Sequence, residues 1–226
     1  MRSVALAAAA AYAALAGLVA SGAATGLDQW ACSNAMPLAG APGSPPTFLE
    51  SLVPLFHSSW HSTGYVVASL ITLPGQVVIS FLLVLVAAWR LAGRGRLDAA
   101  LAWTAAWIVA VAVEFLCRHV LSRPELHRDG VHVLGFDASW PSGHMLRCAL
   151  VAAAFAVAWP RLRPVLGLWL AAVAVLLELA GFHTPTDVLG GLLLATVACT
   201  AAVGLDRSGL LGRRAALRRP GTRAAG

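Results

Sequence analysis

The segment PSGHMLRCALVAAAFAVAWPRLRPVLGLWLAAVAVLLELAGFHTPTD, residues 141–187, decides how this chain folds. It holds two apolar runs, about 144–160 and 164–182, separated by a short link that carries Arg161 and Arg163. A polar island closes each outer end: Pro141-Ser142-Gly143-His144, and His183-Thr184-Pro185-Thr186-Asp187. The runs come close to the ~20 residues that take a helix across a bilayer core. The segment therefore reads as a helical hairpin with both islands brought to one membrane face.

Further apolar runs lie on both sides, at about 3–24, 65–89, 98–121 and 186–205. Mean hydropathy is +0.77, and only 12% of the 226 residues are charged. A soluble domain carries roughly a quarter. Helices satisfy their own backbone groups in lipid, and the chain lacks the short alternating segments of a barrel. The expectation is an all-α polytopic membrane protein, a bundle of six transmembrane helices. The embedded domain covers residues 1–206, with an outer connection at about 25–64, and a basic tail fills 207–226.

All sixteen basic residues are Arg, and the formal net charge is +6. Arg2, Arg90/Arg94/Arg96, Arg161/Arg163 and the tail arginines fall in alternate connections. Excess arginine marks the cytoplasmic side, which puts both termini inside and both islands outside. The tail reads as disordered and as an anchor on anionic headgroups rather than a nucleic-acid arm. An Arg-only, Ala-rich composition points to a high-GC bacterial source, and so to the bacterial plasma membrane. The first run has the charge and small residues of a secretory signal, but its length favours an uncleaved helix. Thr47-Phe48-Leu49-Glu50 reads as a capping box opening a short amphipathic helix to about His57, in the interface or packed on the bundle. Cys32, Cys117, Cys148 and Cys199 form neither a metal pattern nor a disulfide framework, with Cys32 in an aqueous loop and the others small core residues.

Each island has a structural and a chemical reading. Ser142 suits an N-cap, and Gly143 lets another backbone come close. A helix start also offers N–H groups and a positive dipole end to a phosphate, with His144 placed to give a proton to a leaving oxygen. In the second island Thr184, Pro185 and Asp187 make an N-cap, a first helical residue and a capping-box acid. Asp187 also stands where a carboxylate can orient His183 as nucleophile or base. Between the islands, Arg123-Pro124 follows a helix end, where a guanidinium anchors at the interface or clamps phosphate through paired hydrogen bonds.

Taken together, Arg123-Pro124, Pro141-Ser142-Gly143-His144 and His183 with Asp187 resemble the type 2 phosphatidic acid phosphatase family of membrane lipid phosphatases. The resemblance runs from the third apolar run to the last. It implies a six-helix bundle and metal-independent hydrolysis of a lipid or polyprenyl phosphate through a phosphohistidine, with no cofactor. By position, His183 would be the nucleophile, Asp187 its orienter and His144 the acid. Arg123 and the backbone at Ser142 and Gly143 would hold the phosphoryl oxygens.

Two of the family's three cations are replaced: its first-motif Lys position is Leu116, and its Ser-Arg positions are Leu176 and Leu177. Arg147, one turn or roughly 4.5 Å below His144, and Arg118 are the candidates to replace them, and the sequence does not choose between the two. Glu114 and Glu178 lie at similar depth, where charges face one another or a functional cavity. A structural account pairs Glu114 with Arg118 and Glu178 with Arg147; a functional one gives Arg147 to the phosphate, tuned by a glutamate. The reduced cation set also resembles the sphingomyelin and inositol-phosphorylceramide synthases, which transfer a phospho-headgroup between lipids. A non-catalytic lipid-binding or scaffold relative is the third expectation.

Overall fold

The computed structural model describes residues 2–38 and 63–208, so the capping box at Thr47–Glu50 and the tail beyond Ser208 lie outside the described residues. Among the described residues eight α-helices follow in order: α1 (Arg2–Ala20), α2 (Thr25–Asn34), α3 (Thr63–Thr72), α4 (Val77–Ala92), α5 (Leu97–Val120), α6 (Gly143–Ala158), α7 (Arg163–Leu179) and α8 (Pro185–Ser208). Each apolar run in the sequence lies on one of these helices or, for 65–89, on two. Three helices, α1, α5 and α8, are long and apolar enough to cross a membrane, as is the stretch Pro160–Leu179 that ends in α7. The α3–α4 pair passes the same test as a unit bent by 51°.

Three details differ from the sequence reading. The run 65–89 is broken by a 3-10 turn at Leu73–Gly75, because Pro74 has no N–H to continue the ladder and Gly75 follows it. The connection after α1 holds α2, entered through Gly22 at φ 78. The link from α5 to α6 carries a small antiparallel hairpin, β1 (His127–Arg128) and β2 (Val131–His132). Its turn residues Asp129 and Gly130 both take positive φ, the twist that a two-residue hairpin loop requires.

The 16-residue α6 is the centre of the bundle. Its buried positions run almost all the way round, from Met145 to Ala154, which marks a helix enclosed by neighbours rather than one facing solvent or lipid. Leu146, Leu150 and Val151 pack with Val84 of α4, Trp107 and Val111 of α5, and Leu194 of α8. Nearer the other end alanines, Ala87, Ala99, Ala154, Ala158 and Ala202, pack around Leu91 and Trp103, and the small residues let the helices approach closely. The outer faces are apolar and open, as at Trp89, Val109, Leu168 and Val120.

The arginine links gather at the end where α4, α6 and α8 finish. Arg94 Nη1 donates to the Ala158 carbonyl at 2.7 Å, and Arg96 pairs with Asp206 at 2.5 Å. Both polar islands lie at the opposite end, where α6 and α8 begin.

Candidate active site

The two islands are joined by backbone. Ser142 N–H donates to the Asp187 carbonyl at 2.9 Å, and the Ser142 hydroxyl caps α6 by accepting from Met145 N–H at 3.2 Å. Two glycines of α8 make this approach possible. A Cβ on Gly190 would lie 2.7 Å from the Trp140 indole nitrogen, and one on Gly191 would overlap the Ser142 carbonyl oxygen. On the other side of α6, a Cβ on Gly75 would lie 2.9 Å from the His144 carbonyl. The broken α3–α4 segment thus rests on the first turn of α6, and Gln76 Nε2 reaches His144 Nε2 at 3.1 Å.

His183 owes its place to the end of α7. Gly181 N–H donates to Glu178 O and Phe182 N–H to Leu177 O, the paired bonds of a Schellman motif, with Gly181 at φ 69. Leu177 and Phe182 pack in one apolar cluster and fix the turn. The chain then reverses, and His183 faces His144 with ring centroids 5.7 Å apart. Alanine at 181 would have to adopt the left-handed conformation, at about 1–2 kcal/mol. Gly181→Ala should therefore lower the thermal unfolding midpoint in detergent, and an unchanged midpoint would contradict this account of the turn.

Asp187 has more partners than its capping role requires. Its Oδ2 accepts from Thr184 N–H at 3.0 Å, as a capping-box acid does, and from Ser139 Oγ at 2.6 Å. Its Oδ1 accepts from Arg123 Nη1 at 2.9 Å. His183 Nδ1 stands 3.6 Å from Oδ2, an electrostatic contact longer than a hydrogen bond, and this buried nitrogen has no hydrogen-bond partner among the described residues. Burial lowers the pKa of His183 below its usual value, with Asp187 pulling it upward. The ring is consequently neutral at pH 7.

Two buried charge clusters flank the histidines. In the first, Arg123 bridges two carboxylates, Asp187 and Asp28 of α2, with Nη2 to Asp28 Oδ2 at 2.6 Å. Asp28 also accepts from the Thr186 N–H at 3.2 Å and hydroxyl at 2.6 Å. Burial pushes the Asp28 carboxyl up, while the Thr186 hydroxyl and Arg123 draw it down. In the second cluster one carboxylate lies between two arginines: Glu114 meets Arg118 Nη2 at 3.1 Å and also Arg147 Nη1. Arg147 Nε donates to the Gly75 carbonyl at 2.5 Å, satisfying an acceptor freed by the helix break. Glu114 is set against the start of α6, where a Cβ on Gly143 would overlap its carboxylate and lie 2.6 Å from Arg147 Nη1.

The fold thus gathers His144, His183, Asp187, Arg123, Ser142, Gly143 and Arg147 at one end of the bundle, with Arg118 beside them. It changes the partners of several. Arg147 pairs with Glu114 rather than Glu178. Arg123, expected to face a phosphate, has both terminal nitrogens on carboxylates. Leu116 points away from the site, 63% exposed, on the face of α5 opposite Glu114 and Arg118. Cys32 is buried with Met36, Leu126 and Phe136 rather than in an aqueous loop, and all four cysteines are free.

Asp28, Gln76 and Ser139 were not anticipated. Asp28 is an acid just beyond an apolar run, and Gln76 follows a Pro-Gly break inside one. Either signal marks a polar group with a buried partner to find. Neither protein-family models, curated proteins nor solved structures give a match to this chain.

Proposed function

We propose that this chain is a membrane enzyme of six spans that hydrolyses a lipid or polyprenyl phosphate at the extracytoplasmic face through a phosphohistidine. The observation that carries the reading is the His144–His183 pair, 39 positions apart in sequence and 5.7 Å apart between ring centroids. The motif resemblance to the type 2 phosphatidic acid phosphatases supports it, as does the separation of the arginine links from the histidines. In this topology the arginine end is cytoplasmic and the histidine end outside. The short α6 is the fourth span, enclosed by the others.

His183, neutral and held beside Asp187, attacks phosphorus with its outer nitrogen. The bond to the lipid oxygen breaks as His144 gives that oxygen a proton. Water then attacks the phosphohistidine while His144 takes back a proton, and phosphate and free His183 are released. Asp187 stabilises the cationic imidazole between the two steps. Gln76 holds the His144 ring through Nε2. The first turn of α6 at Ser142 and Gly143, with Arg147, contributes positive potential to the transferring group.

The test is phosphate release from phosphatidic acid or a polyprenyl phosphate in detergent with EDTA. Wild-type protein should release phosphate and form an acid-labile phosphoprotein, and His183→Ala should lose both, with kcat lower by 10³-fold or more on the order seen for nucleophile loss. Full turnover in His183→Ala would remove the nucleophile assignment. The engagement of Arg123 by two carboxylates favours a second reading, transfer of a singly charged phosphodiester headgroup between lipids. That activity would need an acceptor lipid and yield a new headgroup lipid instead of free phosphate.

A further inference from the structure

The two charge clusters beside the histidines differ in sign. Arg123 with Asp28 and Asp187 carries one net negative charge, and Glu114 with Arg118 and Arg147 carries one net positive charge. An anion placed between them is drawn toward the second. Within that cluster the two arginines are not equivalent. The Arg147 side chain is 5% exposed and bonded through both Nε and Nη1, whereas that of Arg118 is 26% exposed. The Arg118 Nε–H is buried and has no partner among the described residues. A guanidinium is a fork of donors, and leaving one buried and unmade is costly.

Position adds a second argument. Arg118 is one turn from Glu114, whose carboxylate lies against Gly143 at the start of α6. Its charge acts on both the His144 and His183 rings. The groups facing it from the packed elements are Glu114 on its own helix, Arg147 and His144 on α6, and His183 before α8.

We infer that Arg118 is the residue that binds the phosphoryl oxygens, while Arg123 is a latch that ties α2 and α8 together. The inference rests on the phosphoryl-transfer reading and assigns its principal anion ligand. Glu114 then has two tasks, to hold the Arg118 fork beside the α6 N-terminus and to neutralise Arg147 when the site is empty. An oxyanion arriving between the histidines accepts from the Arg118 Nε–H, so that both sides of the fork are paired.

The experiment measures orthovanadate binding to the full chain in detergent, by calorimetry, with the unfolding midpoint recorded for each variant. Arg118→Gln should weaken vanadate by roughly 10- to 100-fold, the worth of a hydrogen bond to a charged group. Arg118→Lys keeps a cation for Glu114, and so the fold, but has no Nε–H; its dissociation constant should rise by about tenfold. Wild-type affinity in Arg118→Gln overturns the assignment, and should that variant not fold, wild-type affinity in Arg118→Lys does so. Failure of the wild-type protein itself to bind vanadate would overturn the phosphoryl-transfer reading along with it.

Discussion

Arg123→Met should lower the stability of the folded chain by about 3–5 kcal/mol, because it leaves two buried carboxylates facing each other without a cation. Asp28, Arg123 and Asp187 have side chains 1%, 4% and 0% exposed, so water cannot take over the lost pairing. A folded protein has only about 5–15 kcal/mol in hand. The loss would show as a large drop in the unfolding midpoint in detergent. Adding Asp28→Asn to Arg123→Met removes one of the stranded charges and should restore part of it. The contrast is Arg96 with Asp206, whose side chains are 42% and 19% exposed. Such a pair is worth about 0–1 kcal/mol, and Arg96→Met should leave the midpoint nearly unchanged. Equal midpoints for Arg123→Met and wild type would refute the latch.

Gly191→Ala is the second large effect, and it acts through shape alone. The added methyl would overlap the Ser142 carbonyl and lie 3.1 Å from Met145 Cβ, so it meets backbone and a helix that cannot swing aside. Overpacking of this kind costs about 1–3 kcal/mol, sometimes more. The chemical consequence should exceed the thermodynamic one. Ser142 N–H bonds to the Asp187 carbonyl, and parting them moves His144 away from His183. A shift of about 1 Å can cost a factor of 10² in turnover. Under the proposed function, phosphate release should therefore fall further than the midpoint suggests. Normal activity in Gly191→Ala would show that the close approach of α6 and α8 is not needed.

How much of this was legible follows from the kind of signal each feature leaves. Apolar runs are long-range averages and survive local exceptions, so the all-helical plan and the positions of its long apolar helices were readable. The capping roles of Ser142 and Asp187 were readable too, since a cap is decided within four residues, whereas the Thr184 hydroxyl meets the Arg123 and Thr186 side chains and Asp28 takes the Thr186 N–H. The break at Leu73–Gly75 was hidden because its flanks are apolar, although Pro74 is the local cause. Helix α2 is short and has little periodicity of its own; tertiary bonds from Asp28 to Arg123 and Thr186 hold its place. Pairing across helices was the least legible. Whether Arg147 meets Glu114 or Glu178 depends on helix rotation, which the sequence leaves open. So does the difference between Leu116, turned outward, and Arg118, turned inward.

The length of α6 has one more consequence. At 1.5 Å per residue its 16 residues span roughly 24 Å, short of the ~30 Å hydrocarbon thickness of a bilayer. In the proposed setting the catalytic floor therefore lies several ångströms beneath the level of the surrounding headgroups. A phosphate fixed to a lipid has to sink to be reached, and its tail is already at the right depth to enter sideways between helices. A free, water-borne phosphate ester would have to leave its hydration shell and descend alone. Selectivity for lipids over soluble esters would then come from elevation, before any residue touches the headgroup.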